Sequence, residues 1–436
     1  MKHLTPLALL MLASCASYEA QPLVNQDLLA ANQKRQAPML EEKVLHYPEV
    51  ARFAAVNAPE LRRAQAEYEA AAKLAGVKTP WPNPELELAP SISYGSGAEK
   101  PGTRGRIGAF GSLMFSIPLN GRLGLQDEVN AATAEALRIK AVATQRRVAF
   151  ELRRLWREHA LARQSVTLKR ELAESANAAL IAERRANEQG VGSRLDTGIN
   201  AIEAGNLRRE AAAAEIVAAD IAGELATLTG LPLTLLDRAA PRSPPVAVLP
   251  KRDEWPALIA NNNPELATLR AEYEVAERQL RLEVALQYPD LKLGTSIDGM
   301  AGEHKTDYSL SLGLNLPIFD RNQQGIAIAE ARRTRLRLDY ETRLGELLSD
   351  ADRQARCQRA ARASLDFARA NLPQARLNQD DARKSRDAGL IDILRQLEIE
   401  RSSRQARLAV LDDEGEVLKR QNQLEVILGL ELNQQD

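Results

Sequence analysis

The chain has 436 residues, and 58 basic against 59 acidic residues leave a net charge of −1. That balance argues against a general nucleic-acid binder, which carries a basic excess or stripe. Aromatic residues are only 4%, hydrophobic residues 44% and charged residues 27%, a mixture with frequent alanine runs that suits long, thin helices rather than a thick enzyme core. Two Cys exclude a disulfide scaffold, and four scattered His argue against a His-rich metal site.

Met1-Lys2-His3 is a short basic start, Leu4 to Leu12 is apolar, and Ala13-Ser14-Cys15 follows. A spanning helix needs about 20 residues, so this run reads as the core of a secretory signal. Leu12-Ala13-Ser14-Cys15 also fits the bacterial lipobox. It predicts a signal peptide over 1–14, cleavage before Cys15, and lipid, palmitate included, on the Cys15 thiol and new amine. A plain signal peptide with an incidental Cys is the alternative. Acyl chains contribute roughly 0.8 kcal/mol per buried CH₂, so two or three hold well. Ala16 rather than Asp fits outer-membrane sorting. Residues 15–40 read as a lipidated polar tether with room for one short helix.

The sequence then repeats itself. Pro59-Glu60-Leu61, Ala66-Glu67-Tyr68-Glu69 and Pro84-Glu85-Leu86 return as Pro264-Glu265-Leu266, Ala271-Glu272-Tyr273-Glu274 and Pro289-Asp290-Leu291, all at one offset of 205 residues (59 to 264). Ile117-Pro118-Leu119, Gly190 and Leu228-Thr229-Gly230-Leu231 return as Leu316-Pro317-Ile318, Gly389 and Ile427-Leu428-Gly429-Leu430 at an offset of 199 (190 to 389). A unit this long is a duplicated domain, not a solenoid repeat. The two copies occupy 41–231 and 257–432, a Pro-rich linker fills 232–256, and 433–436 form a tail.

Each copy opens with a helix (Pro59 to Val77, Pro264 to Leu286), and Pro and Gly then break it. Four runs with period-two alternation follow: about 85–95, 105–118, 290–299 and 307–317. Leu310, Leu312, Leu314 and Leu316 alternate with Ser309, Ser311, Gly313 and Asn315, a strand with unlike sides. Each run is near the 9–11 residues of a tilted transmembrane strand. Four strands cannot close a barrel, which starts at about eight, and open edges are not tolerated in lipid. Either several chains share one barrel or the runs are soluble hairpins packed on helices; the signal and lipid anchor favour the membrane.

Next in each copy comes a very long helical stretch, Leu123 to Gln189 with no Pro, and Gly325 to Ala388, which Pro373 is expected to interrupt. Leu123 to Gly190 would span on the order of 100 Å. Leu336, Tyr340, Leu344, Leu347 and Ala351 step as a coiled-coil seam does, and Leu390, Leu394, Leu397, Leu408 and Leu411 do likewise, with Arg401 and Arg404 interrupting. A Gly turns each stretch into a second helix ending at Gly230 or Gly429.

This plan resembles the outer-membrane efflux factors, the TolC family, over about residues 40 to 432. The resemblance rests on the duplication, the strand pairs and the turn motifs Gly190-Val191-Gly192-Ser193-Arg194-Leu195-Asp196 and Gly389-Leu390-Ile391-Asp392-Ile393-Leu394. Pro317-Ile318-Phe319-Asp320-Arg321-Asn322-Gln323 and Trp81-Pro82-Asn83-Pro84-Glu85-Leu86 look like the heavy-metal branch. The resemblance implies a mainly α fold with a small β part: a homotrimer whose twelve strands form an outer-membrane barrel on a periplasmic helical tube. It implies a passive exit duct that works with a periplasmic adaptor and an inner-membrane pump of the resistance-nodulation-division type and exports heavy-metal cations. It implies no nucleic-acid partner and no cofactor beyond the lipid on Cys15. Gly190, Val191, Leu195, Gly389, Leu390 and Leu394 resemble the adaptor-contact tips. Asp392, Arg395 and Glu398 fall where the family closes its aperture with acidic residues; Arg395 departs from that pattern and suggests an ion-paired latch.

Other readings fit less well. His46, His159 and His304 lie on separate segments without a His-Glu-x-x-His pattern, Glu158-His159 reads as a surface or interhelix pair, and Cys357 stands alone, so no enzyme is expected. Gly105, Gly108 and Gly111 lie in a strand pattern and cradle no phosphate. Export of organic compounds or type I secretion are alternative cargoes for the same channel. A periplasmic adaptor lipoprotein is a more distant alternative, disfavoured by the doubled tip.

Overall fold

The computed structural model describes residues 18–93, 106–190, 193–240, 244, 246–300, 306–391 and 393–430. In chain order these form α1 (Asn25–Leu40), α2 (Tyr47–Asn57), α3 (Pro59–Ala75), β1 (Glu85–Ser93), β2 (Arg106–Pro118), α4 (Arg122–Glu188), α5 (Arg194–Thr229) and α6 (Leu233–Leu236). After a 3-10 turn (Arg252–Glu254) come α7 (Trp255–Asn262), α8 (Pro264–Ala285), β3 (Asp290–Met300), β4 (Thr306–Leu314), α9 (Gln323–Asp387) and α10 (Ile393–Leu428). The succession α3-β1-β2-α4-α5 returns as α8-β3-β4-α9-α10. The chain is mostly helical with one small antiparallel sheet.

Proline at the first turn starts both α3 and α8, where its missing N–H removes nothing from the helix. Asn263 caps α8 through its Oδ1, which accepts from the Glu265 and Leu266 amides, while its Nδ2 donates to the Ile427 carbonyl in the last turn of α10 at 3.1 Å. One side chain therefore joins the end of α10 to the start of α8. In the first repeat the corresponding position is Ala58, and the end of α5 instead lies on Pro59, where a Cβ on Gly230 would meet the ring at 3.4 Å.

α4 has 67 residues and is about 100 Å long at 1.5 Å per residue. Its first half packs on α3 and α8 and its second half on α5 and α10; α9 packs on α8 and then α10. Ion pairs track this order: Lys140 with Glu67 of α3, Arg170 with Glu215 of α5, Arg343 with Glu265 of α8, and Arg369 with Glu414 of α10. The result is one layer of helices, α3-α4-α8-α9 near the sheet and α5-α4-α10-α9 away from it.

Two apolar clusters thicken the middle of this layer. Leu45, Val50 and Ala54 pack on Leu152, Leu155, Trp156, Leu225, Leu235 and Leu236, with the Tyr47 and Trp156 rings edge to face at 6.1 Å. Trp255, Ile259 and Leu266 pack on Leu347, Ala351, Leu424 and Leu428.

Three sequence expectations are corrected. Pro373 lies inside α9 and does not interrupt it. Its ring is exposed, so water can satisfy the freed carbonyl, and packing on α10 holds the helix through the defect. Pro373→Ala is expected to stabilise the chain by up to about 3 kcal/mol, read as a higher urea midpoint; no gain would mean the helix is already broken there. β4 ends at Leu314, not at 317, because β3 begins at Asp290 opposite position 315, leaving Leu316 and Pro317 without a partner strand. The leucine seam of α10 is also only partly real: Leu411 is buried, but Leu390 is exposed, and the buried positions nearer the turn are Gln396, Glu400 and Ser403. Ser403 donates to Gln379 of α9 at 3.0 Å, and Gln396 donates to Glu400 at 3.1 Å. The facing seam of the first hairpin is apolar, with Ala173, Leu207 and Ala211 in one cluster.

Candidate functional site

The sheet runs β1-β2-β3-β4, every pair antiparallel. Side chains alternate between faces, and the register aligns like with like. Leu86 and Leu88 of β1, Leu113, Phe115 and Ile117 of β2, Leu291, Leu293 and Ile297 of β3, and Tyr308, Leu310, Leu312 and Leu314 of β4 share one face. Glu85, Glu87, Ser112, Ser116, Lys292, Ser296, Asp298, Ser309 and Ser311 share the other, where the Ser296 and Ser309 hydroxyls hydrogen-bond at 2.6 Å. Among the described residues no helix covers the apolar face: Leu310 is 79% exposed and Leu312 73%. In water this face would be strongly unfavourable at about 25 cal/mol per Å². Among the described residues the outer edges of β1 and β4 have no strand beside them. Among the described residues no helix is long and apolar enough to cross a membrane.

The opposite ends of the long helices form two turns. α4 ends with Gly190 at φ +79° and α9 with Gly389 at φ +70°, a left-handed conformation that glycine adopts without a Cβ penalty. The Gly389 amide donates to the Arg386 carbonyl and the Leu390 amide to the Ser385 carbonyl, both at 2.8 Å, the pattern of a Schellman cap. The Gly190 amide donates to the Asn187 carbonyl at 3.0 Å in the same way. Ser193 caps α5, accepting from the Asp196 amide at 3.3 Å. The turns present Leu195 and Leu390, 74% and 76% exposed, to solvent. Cys15, Val191, Gly192, Asp392 and His304 lie outside the described residues, as does the side chain of Leu394.

Arg395 and Glu398 form an ion pair at 2.6 Å within one turn of α10, both exposed. Other charges tie the two hairpins together close by: Arg401 with Glu203 of α5, and Arg404 with Glu171 of α4 at 3.9 Å. Arg383 of α9 reaches the buried Glu400 at 3.3 Å. Sequence reasoning noted Arg401 and Arg404 only as breaks in a leucine seam; that interruption was the available signal.

A second feature went unread in the sequence. Glu425 of α10 is 1% exposed and accepts from two guanidiniums of α4, Arg153 at 3.0 Å and Arg157 at 3.3 Å. Its other oxygen accepts from the Ala247 amide at 3.0 Å. Arg157 also donates to Asn422 and to the Pro244 carbonyl. Burial pushes the Arg157 pKa down, Glu425 opposes that shift and Arg153 adds to it, yet a guanidinium stays charged. The cluster fastens the first repeat, the linker and the second repeat at one point.

His46 precedes α2, Glu158 and His159 lie on α4, and Cys357 lies on α9. Glu158 pairs with Arg154 at 2.6 Å rather than with His159, and His159 is buried, not on the surface. The His46 amide donates to Glu49 at the start of α2. Cys357 is a free thiol. Among the described residues no cluster of His, Cys, Asp and Glu could hold a metal.

A family profile described as "Outer membrane efflux protein" matches residues 255–430. No curated protein matches the sequence at a significant level. Solved structures share the fold. The outer membrane channel CmeC of Campylobacter jejuni superposes with a TM-score of 0.67 at 15% identity, covering 95% of this chain and 90% of that one. The outer membrane protein VceC of Vibrio cholerae gives 0.66 at 17% identity, covering 92% and 98%. CusC, described for conformational changes in folding and transmembrane channel formation, gives 0.64 at 17% identity, covering 88% and 92%.

Proposed function

We propose, from the premise that the chain belongs through residues 255–430 to the outer membrane efflux protein family, that it is the outer-membrane exit duct of a tripartite efflux pump. It is a channel and not an enzyme. Three copies contribute four strands each to one closed barrel, and their helical layers curve into a periplasmic tube. The observation that carries this reading is the four-stranded sheet with a bare apolar face, a polar face and two unpaired edges. Such a sheet is satisfied only by lipid outside, water inside and a strand at each edge. Lipid on Cys15 adds a second anchor.

The glycine turns are the periplasmic tips, and the exposed Leu195 and Leu390 beside them await the adaptor's apolar residues. The aperture lies one or two turns inward. Asp392, Arg395 and Glu398 line it, and the Arg401–Glu203 tie must break when the second hairpin moves from the first. A threefold ring mixing Arg395 with carboxylates latches the opening through ion pairs rather than repelling anions alone.

The cargo is heavy-metal cations, a reading supported by the motifs framing the strands, Trp81 to Leu86 and Pro317 to Gln323. The pump and adaptor supply energy and most of the selection. Deleting residues 389–394 is expected to abolish efflux while leaving the trimer intact; loss of the trimer in that variant would refute the tip assignment. Growth of a deletion strain on zinc, cadmium, cobalt, nickel, copper and silver, beside dyes and detergents, tests the cargo. Sensitivity to metals alone agrees with it, and sensitivity to organic compounds alone moves the protein to multidrug export.

A further inference from the structure

The unpaired edges of the sheet have a template inside the chain. β2 of the first repeat pairs with β3 of the second, Pro118 opposite Asp290. Just beyond that end, Arg122 forms an ion pair with Asp290 at 2.6 Å, and Asn120 donates to the Ala285 and Tyr288 carbonyls at 3.0 and 3.1 Å. This is a junction between one repeat and the next. In a ring of copies, β4 of one copy meets β1 of its neighbour, which is again a junction between one repeat and the next.

The repeat offsets carry the first junction onto the second. The offset of 199 takes Pro118 to Pro317 and Arg122 to Arg321; the offset of 205 takes Asp290 back to Glu85. We propose, resting on the trimeric reading above, that β4 pairs antiparallel with β1 of a second copy, Leu314 opposite Leu88 and Leu312 opposite Pro90, and that Arg321 of one copy clasps Glu85 of the next. This register keeps the apolar residues of both edges on one face. It also supplies the missing partner for residues 315–317, so β4 lengthens to match β2, which already runs to Pro118.

The two sequence motifs at this level acquire a common role. The loop after β4 is locked by its own hydrogen bonds: Arg321 Nε to the Pro317 carbonyl at 3.2 Å, the Asn322 amide to Asp320 at 2.9 Å, and Asn322 Nδ2 to the Glu283 carbonyl at 2.9 Å. It holds Phe319 93% exposed. Four residues before β1, Trp81 is 62% exposed. Edge pairing brings Ile318 and Phe319 of one copy to the boundary occupied by Trp81 of the next. A rigid loop that holds an aromatic ring out from its own chain suits an interface already shaped before assembly.

The test uses the full-length chain with Cys357→Ser. Leu88→Cys with Leu314→Cys is expected to oxidise to a covalent trimer that survives boiling in SDS, because directly opposed Cβ atoms lie about 4.5–5.5 Å apart. The hairpins β1–β2 and β3–β4 differ by two residues in register relative to the repeat offsets, so Leu86→Cys and Pro90→Cys, each with Leu314→Cys, cover the two slips. Crosslinking through a slipped pair overturns the register. An SDS-resistant trimer that no pair crosslinks overturns the edge pairing but leaves the channel reading standing, and a chain that forms no trimer overturns both. Arg321→Glu and Glu85→Arg should each lower the temperature at which the SDS-resistant trimer dissociates, and the double variant should regain it. A double variant weaker than either single one overturns the clasp. Trp156 and Trp255 are buried, so a red shift in tryptophan emission when the trimer dissociates reports Trp81 losing its cover. Quenching of Trp81 by brominated lipid in the intact trimer would place it on the membrane instead and overturn the contact with Phe319.

Discussion

Glu425→Gln is expected to destabilise the joint between the two repeats by about 3–5 kcal/mol, the range for removing one partner of a buried ion pair. Glu425 is the carboxylate between two buried guanidiniums, with Arg157 0% and Arg153 5% exposed. A neutral amide keeps the shape and the hydrogen bond from Ala247 but leaves two like charges facing each other out of water. Urea unfolding followed by the emission of Trp156, in the adjoining apolar cluster, reads the effect. Glu346→Gln, which removes an exposed partner of Arg343, should cost less than about 1 kcal/mol. Equal effects from both variants would show that the buried cluster is solvated and does not fasten the repeats. Replacing Arg153, Arg157 and Glu425 together by apolar residues of similar volume should recover most of the loss, because the penalty lies in unpaired charge rather than in the missing contact.

Leu312→Arg should cost about 2–4 kcal/mol per copy, the penalty for a cation on the lipid face near the bilayer midplane. Ser311→Arg, one residue away on the polar face, should be tolerated in assembly. The contrast follows from the two-residue period alone. Yield of SDS-resistant trimer in outer-membrane fractions measures it. Equal tolerance of both substitutions would mean that neither face meets lipid, and the sheet would then be a soluble hairpin pair packed on other surfaces.

The sequence carried the elements with clear punctuation. Alternation of Leu310, Leu312 and Leu314 with Ser309, Ser311 and Gly313 marks β4, and Gly190 and Gly389 mark the helix turns because few other residues take a left-handed φ. The first long helix was legible from its length without Pro. What was not legible depended on neighbours. Pro373 breaks a helix in isolation, yet α10 supports α9 across it. Leu316 and Pro317 continue the alternation, yet the end of β3 decides where β4 stops. In α10 the leucine spacing suggested an apolar seam, but Ser403 and Gln379 hydrogen-bond across it, Gln396 bonds to Glu400 of its own helix, and these residues are buried in place of leucines.

The charged cluster at Glu425 was hidden for a different reason. Arg153, Arg157 and Glu425 are three among 117 basic and acidic residues (58 and 59), and nothing in their spacing separates them from a solvated face. The available signal lay around them: Phe150, Leu152, Leu155, Trp156 and Ala160 together are buried on several sides of the same helix. A helix apolar all round is enclosed, so the charges among those residues are enclosed as well. The two glycine turns with their exposed leucines, Leu195 and Leu390, were legible, whereas the Arg401–Glu203 tie required knowing which hairpin lies beside which.

The most direct test of the central claim is the native mass of the detergent-extracted protein. Three copies of the chain in one particle, resistant to SDS until heated, is the result expected of a barrel closed by three four-stranded sheets. A monodisperse monomer in the same detergent would contradict it, because a single sheet with two open edges and a bare apolar face cannot stand alone in a membrane.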